Sequence, residues 1–148
     1  MERQLDGYFI SDNKALIQPE RVFDMLSKSY WAADRTLETI QKSIENSLCF
    51  GVYQAGDQVG FARCVTDYAV SFMLMDVIID ERCRGRGLGK ALVSFILSHE
   101  KLQGLTGTLA TRDAHTLYER FGFAPVDPKF YMRRSAVKST SIEIEQQS

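Results

Sequence analysis

A mixed α/β fold, with a mostly antiparallel central sheet flanked by helices, is what this chain predicts, and three observations carry that expectation. The segment Phe72-Met73-Leu74-Met75-Asp76-Val77-Ile78-Ile79 is apolar almost throughout and suits a strand buried on both faces. Apolar runs at 48–53 and 59–65 flank Gln54-Ala55-Gly56-Asp57-Gln58, which reads as a hairpin turn. Between and around these strands, apolar residues recur at helical spacing, so helices should cover the sheet.

In chain order, Tyr8-Phe9-Ile10-Ser11 is a short strand, with Lys14-Ala15-Leu16-Ile17 pairing with it or leading onward. Pro19 suits a first helical position, and Val22, Phe23, Leu26 and Tyr30 follow at helical intervals. Asp34 or Thr36 caps a second helix carrying Leu37, Ile40 and Ile44. The hairpin and the long strand come next. Leu88, Leu92, Phe95, Ile96 and His99 then form one helical stripe. A short strand is expected at 108–111, a helix at 114–121 stopped by Gly122, and a last strand at 130–132. One domain over 1–134 is expected, and the Ser-, Thr-, Gln-, Lys- and Glu-rich stretch 135–148 reads as a flexible tail.

Composition excludes several function classes. The 148 residues are 45% hydrophobic and 25% charged, ordinary for a soluble globular protein. A net charge of -1 argues against general nucleic-acid binding. There is no long apolar span and no signal-peptide pattern at the N-terminus, so a cytoplasmic protein without membrane contact is expected. Cys49, Cys64 and Cys83 form no paired motif and have no histidines near them, so neither disulfides nor a metal site is expected. Cys49 and Cys64 read as core residues, and Cys83, between two arginines, as a surface thiol.

The run Arg84-Gly85-Arg86-Gly87-Leu88-Gly89-Lys90 joins the long strand to the helix after it. Alternate glycines leave backbone N–H groups uncovered at a helix N-terminus, which favours negative charge, and three cations flank them. A plain turn beside a solvated charged face is the competing reading, but three alternate glycines are entropically expensive for that purpose. The spacing fails a Walker A loop, because Lys90 is followed by Ala91. It also fails a dinucleotide fingerprint, whose third glycine would fall at Lys90.

What remains, Arg84-x-x-Gly87-x-Gly89 after a buried strand, resembles the pyrophosphate loop of the GNAT superfamily of N-acetyltransferases. A second segment, Ala114-His115-Thr116-Leu117-Tyr118-Glu119-Arg120-Phe121-Gly122-Phe123, is similar to that family's Ala-x-x-Leu-Tyr-x-x-x-Gly-Phe motif. The resemblance covers roughly residues 5–133 and implies the GNAT acyl-CoA N-acyltransferase fold. The resemblance implies an acetyl-CoA-dependent N-acetyltransferase, with acetyl-CoA as cosubstrate, no metal, and direct transfer to an amine in a ternary complex. It implies that the backbone of Val77, Ile78 and Ile79 pairs with the pantetheine arm, and that Arg84, Gly85, Arg86, Gly87, Leu88, Gly89 and Lys90 hold the pyrophosphate. Thr111 stands where the family often has Asn, so a cofactor contact is assigned there. Glu81 stands where many members have Pro.

Tyr118 matches the family's general acid for the leaving thiolate, a role the motif match favours over mere packing of its ring on the cofactor arm. Asp76, a carboxylate in an apolar strand, is a candidate base; it could equally anchor backbone N–H groups at a strand distortion. Asp67, Glu81 and Asp113 are weaker candidates. Tyr30 and Trp31, with Asp67 and Tyr68, are expected to frame the acceptor, against the alternative that the aromatics at 30–31 seal the core. An acyl-CoA-binding sensor without catalysis is the rival function. The acceptor's identity is not written in the sequence, and a homodimer is left open.

Overall fold

The computed structural model describes residues 1–136. Ten elements build the fold: β1 (Glu2–Leu5), β2 (Tyr8–Ser11), α1 (Pro19–Ser27), α2 (Leu37–Glu45), β3 (Leu48–Gln54), β4 (Asp57–Thr66), β5 (Ser71–Ile79), α3 (Leu88–Leu97), β6 (Thr106–Thr108) and α4 (His115–Glu119). The strands form one sheet in sequence order, antiparallel throughout except for the parallel pair β5–β6.

Local chemistry accounts for the helix starts. Pro19 occupies the first turn of α1, where a missing N–H costs nothing. Thr36 caps α2, its Oγ1 accepting from the Thr39 N–H at 3.1 Å. Each helix buries one stripe: Val22, Met25 and Leu26 from α1, Ile40 and Ile44 from α2. These pack with Phe61 and Ile78 on one face of the sheet. On the other face Leu88, Leu92, Val93, Phe95 and Ile96 of α3 pack against Phe50, Val52, Phe72 and Leu74.

A bulge in β5 lets one strand serve both faces. Phe61 pairs with Ile78 but Arg63 pairs with Met75, so β5 advances three residues while β4 advances two. Asp76 is the residue at the irregularity and has φ +56°, a conformation rare for a residue with a Cβ. Before it, Phe72 and Leu74 face α3; after it, Ile78 faces α1 and α2. Strict alternation would have kept all of them on one side.

The sheet then opens. β6 pairs with β5 only at Ser71, Phe72 and Met73, while β5 runs on to Ile79. The later half of β5 therefore has no strand on that side among the described residues, and a cleft begins there.

Several expectations need correction. Residues 14–16 form a 3-10 turn capped by Asn13 rather than a strand. The short strand falls at Thr106–Thr108, ahead of the 108–111 expected, because its partners Ser71 to Met73 set its place. No last strand forms at 130–132: Asp127 accepts from the Lys129 N–H and Pro128 starts a 3-10 turn there. Cys83 is buried, not a surface thiol, and all three cysteines are free. Burial pushes the Cys49 thiol up to about 11 and that of Cys64 to about 12, consistent with inert core residues. The tail expected over 135–148 lies, from residue 137, outside the described residues. No helix among the described residues is long and apolar enough to cross a membrane.

Candidate active site

The cleft beside β5 has a volume of about 410 Å³. Its walls are Val77, Ile78 and Ile79 on one side and Ala114, Leu117 and Tyr118 on the other. Arg84, Gly85, Gly87, Leu88 and Gly89 line one end, with Cys83, and Trp31 lines it too. A second hollow of about 380 Å³ lies by the β1–β2 turn, lined by Phe9, Gln18 and Tyr53 among others. Its lining includes neither the 84–90 glycine run nor Tyr118, which the β5 cleft brings together, so the β5 cleft is the better candidate.

At the glycine end, Gly85 and Gly87 both have φ +77°, left-handed backbone that a Cβ would strain. Gly87 is the N-cap of α3 and supplies no side chain, so the first-turn N–H groups have no side-chain acceptor. With no acidic residue in that turn, the helix end is a seat for an anion. The approach to the loop is pinned by Asp80. Its carboxylate accepts from the Arg82 N–H at 2.9 Å, from Arg82 Nε at 3.0 Å and from Arg21 Nη2 at 2.6 Å. Hydrogen bonds from Arg82 hold this carboxyl well below the usual range against the opposing effect of burial.

The loop arginines are only partly turned to the cleft. Arg86 Nη1 donates to the Tyr8 hydroxyl at 2.7 Å, tying the loop to β2, and Arg84 Nε donates to the Ile79 carbonyl at 3.1 Å. Thr111, where a cofactor contact was expected, has its Oγ1 accepting from the Ala114 N–H at 3.0 Å, at the start of α4. Thr111 does not line the cleft.

At the other end the bulge residue organises the site. The Asp76 side chain is 1% exposed, and Arg35 Nη1 and Arg63 Nε both donate to its Oδ2 at 2.6 Å. Trp31 Nε1 donates to Oδ1 at 3.1 Å. Burial alone would raise the Asp76 pKa, but the two guanidinium groups outweigh it and hold the carboxyl below the usual range. Asp76 is thus a poor fit to the expected base, because both oxygens already carry donors and the anion is strongly favoured. It does sit at a strand distortion, as the other expectation had it, but its carboxylate anchors the side chains of Arg35, Arg63 and Trp31 and not backbone N–H groups. Arg35 and Arg63 were not foreseen as partners of Asp76. A lone cation in the apolar run 59–65, opposite a lone anion in the next strand, is the signal that could have found Arg63.

Tyr30 and Trp31 lie in the α1–α2 loop with ring centroids 5.1 Å apart, and the Arg112 guanidinium stands 3.7 Å above the Tyr30 ring. Tyr118 is buried on α4, its ring against Phe123. Burial, then the nearby charges of Asp113 and Tyr30, push its phenol above the ordinary range, so it is protonated at neutral pH. Asp67 and Tyr68 do not join this assembly. Asp67 Oδ1 accepts from the N–H groups of Ala69, Val70 and Ser71, closing the β4–β5 turn, and Tyr68 stacks under Lys101. Neither lines the cleft. No group of three or more metal-ligating side chains occurs among the described residues.

Comparison with known proteins gives this geometry a context. Residues 45–125 match a family described as "Acetyltransferase (GNAT) domain". A Xanthomonas campestris pv. campestris crystal structure, described as belonging to the GNAT family, is 40% identical with a TM-score of 0.85, covering 90% of this chain and 96% of that one. An uncharacterized N-acetyltransferase, ycf52-like, of Prochlorococcus marinus is 30% identical over 72% of this chain and 62% of its own length. The chloroplastic serotonin N-acetyltransferase 2 of Oryza sativa subsp. japonica is 28% identical over 59% of this chain and 47% of its own. The chain spans less than two thirds of the length of these two relatives.

Proposed function

The chain belongs to the GNAT family of acetyltransferases, and from that premise we propose that it moves the acetyl group of acetyl-CoA directly to a primary amine held in the same cleft. One observation carries the reading: an uncapped helix N-terminus, an unpaired strand edge and a protonated tyrosine meet in one cavity.

The residues present suit acetyl-CoA. First-turn N–H groups of α3, with the backbone of Gly85 and Gly87, would hold the pyrophosphate, and Arg84 and Lys90 would add charge. The open edge at Val77, Ile78 and Ile79 would take the amides of the pantetheine arm as a sheet takes a further strand. A backbone N–H freed near Val77 by the bulge would face the thioester oxygen and stabilise the negative charge that develops on it.

In the transfer, the amine nitrogen bonds to the thioester carbon and the carbon–sulfur bond breaks. Tyr118 gives its proton to the departing sulfur, and the proton lost by the nitrogen returns through water to the phenolate. A thiol near pKa 8.5 and a phenol near 10 make this donation uphill at the outset, so positioning decides its worth. No cysteine or serine in a nucleophile motif offers a covalent alternative.

Thiol release from acetyl-CoA over a panel of amines, followed by mass spectrometry for the acetyl gain, tests the reading. Acetyl-CoA binding without thiol release from any amine would replace it by the sensor function.

A further inference from the structure

We infer that the acceptor is an amine already neutral in appreciable fraction near pH 7, an α-amine or similarly weak base, rather than an alkylammonium. The inference rests on the transfer reading above and adds the class of substrate to it.

An amine attacks only when neutral, so something must remove its proton. The side chains lining the cleft include no carboxylate and no imidazole among the described residues. Its ionisable groups are Tyr118 and Cys83, both buried, and Arg84. Tyr118 is held protonated by burial and by Asp113, which leaves it a donor.

The carboxylate behind the β5 wall, Asp76, is committed. From β4 Arg63, and from the α1–α2 loop Arg35 and Trp31, fill both of its oxygens. Two guanidinium groups face this one carboxylate and Arg112 stands over Tyr30, while the charge of Asp113 acts on Tyr118 from the α4 side. Asp113 and His115 are exposed and do not line the cleft.

The deprotonation therefore falls to the acceptor's own acidity. An amine of pKa about 8 is roughly a tenth neutral at pH 7, whereas one near 10.4 is neutral to about four parts in ten thousand. The ratio, about two hundredfold, is partly offset by the stronger nucleophilicity of the more basic amine.

The test uses the full chain with acetyl-CoA and two isomers, Nε-acetyl-lysinamide and Nα-acetyl-lysinamide, which differ only in the amine left free. Glycinamide and tryptamine extend the range. The α-amine isomer should show kcat/KM at pH 7 at least about tenfold above the ε-amine isomer. The rising limb of each pH profile should fall at that acceptor's own pKa, and Asp113→Asn should leave it in place. One limb at a fixed pH for every acceptor, or its loss in Asp113→Asn, would reveal an enzyme base and overturn the inference while leaving the transfer reading intact. Equal turnover of the two isomers at pH 7 would also overturn it. No thiol release from any of the four amines would overturn the transfer reading and the inference with it.

Discussion

At one end of the cleft the chain offers mostly backbone, the left-handed Gly85 and Gly87 and the uncapped start of α3. At the other it offers side chains from three elements tied to one another around Asp76. Backbone N–H groups are the same whatever residue carries them, so the first end suits a ligand part shared by a whole family. Side chains differ from chain to chain, so the second end is where one member can differ from the next. The contrast also separates two kinds of failure. Damage at the glycine end should cost affinity for the donor, whereas damage at the Asp76 end should cost stability.

The largest effect should follow Asp76→Ala, which strands the buried Arg63 guanidinium and the half-buried one of Arg35. Removing one partner of a buried ionic cluster typically costs about 3–5 kcal/mol, read here by urea unfolding. A loss below about 1 kcal/mol, the scale of an exposed ion pair, would show that the cluster does not tie loop to sheet. Next comes Tyr118→Phe, expected to lower kcat about a hundredfold, the lower end for a lost general acid. Acetyl-CoA affinity should move far less, and an unchanged kcat would assign the ring to packing alone.

Gly87→Ala addresses the glycine end. A Cβ at φ +77° costs about 1–2 kcal/mol, which by calorimetry should appear as acetyl-CoA binding weakened about five- to thirtyfold. Arg86→Gln should do less. It removes a hydrogen bond to Tyr8 worth about 1 kcal/mol of stability, and donor affinity should fall only slightly because the guanidinium is turned away from the cleft.

Acidity distinguishes the ends least. Asp76 and Asp80 both have folded pKa values below the unfolded one. Their contribution is therefore complete above the unfolded value of about 3.9 and is lost as pH falls through the folded values. Thermal stability should be insensitive to these groups between neutral pH and about 5 and should drop only in stronger acid. A drop already at pH 6 would mean that neither carboxylate is held as the geometry indicates.

What the sequence disclosed follows the same division. The glycine end was legible because residues 84–90 are contiguous and their function rests on backbone. The Asp76 end joins residues 31, 35, 63 and 76, brought together only by the α1–α2 loop and the β4–β5 register. A buried charge could be noticed there, and the lone cation in the next apolar run pointed to Arg63, but Arg35 and the Trp31 indole could not be named as its partners. Asp67 and Tyr68 looked like wall residues because they follow an apolar strand, yet the turn consumes the carboxylate of one and Lys101 covers the ring of the other. Residues 130–132 looked like a strand because Phe130 and Tyr131 favour one. Asp127 and Pro128 decide otherwise, since a capped turn with a fixed φ forms from local contacts alone.

Trp31 is the only tryptophan in the chain, and its indole N–H is bonded to the one carboxylate that organises the inner end of the cleft. The protein thus carries a native fluorophore placed where acceptor and donor would meet. Its emission needs no label and no site-directed dye. A blue shift or quench on adding a ligand would report from that spot alone, which makes every acceptor screen readable by light before any product has formed.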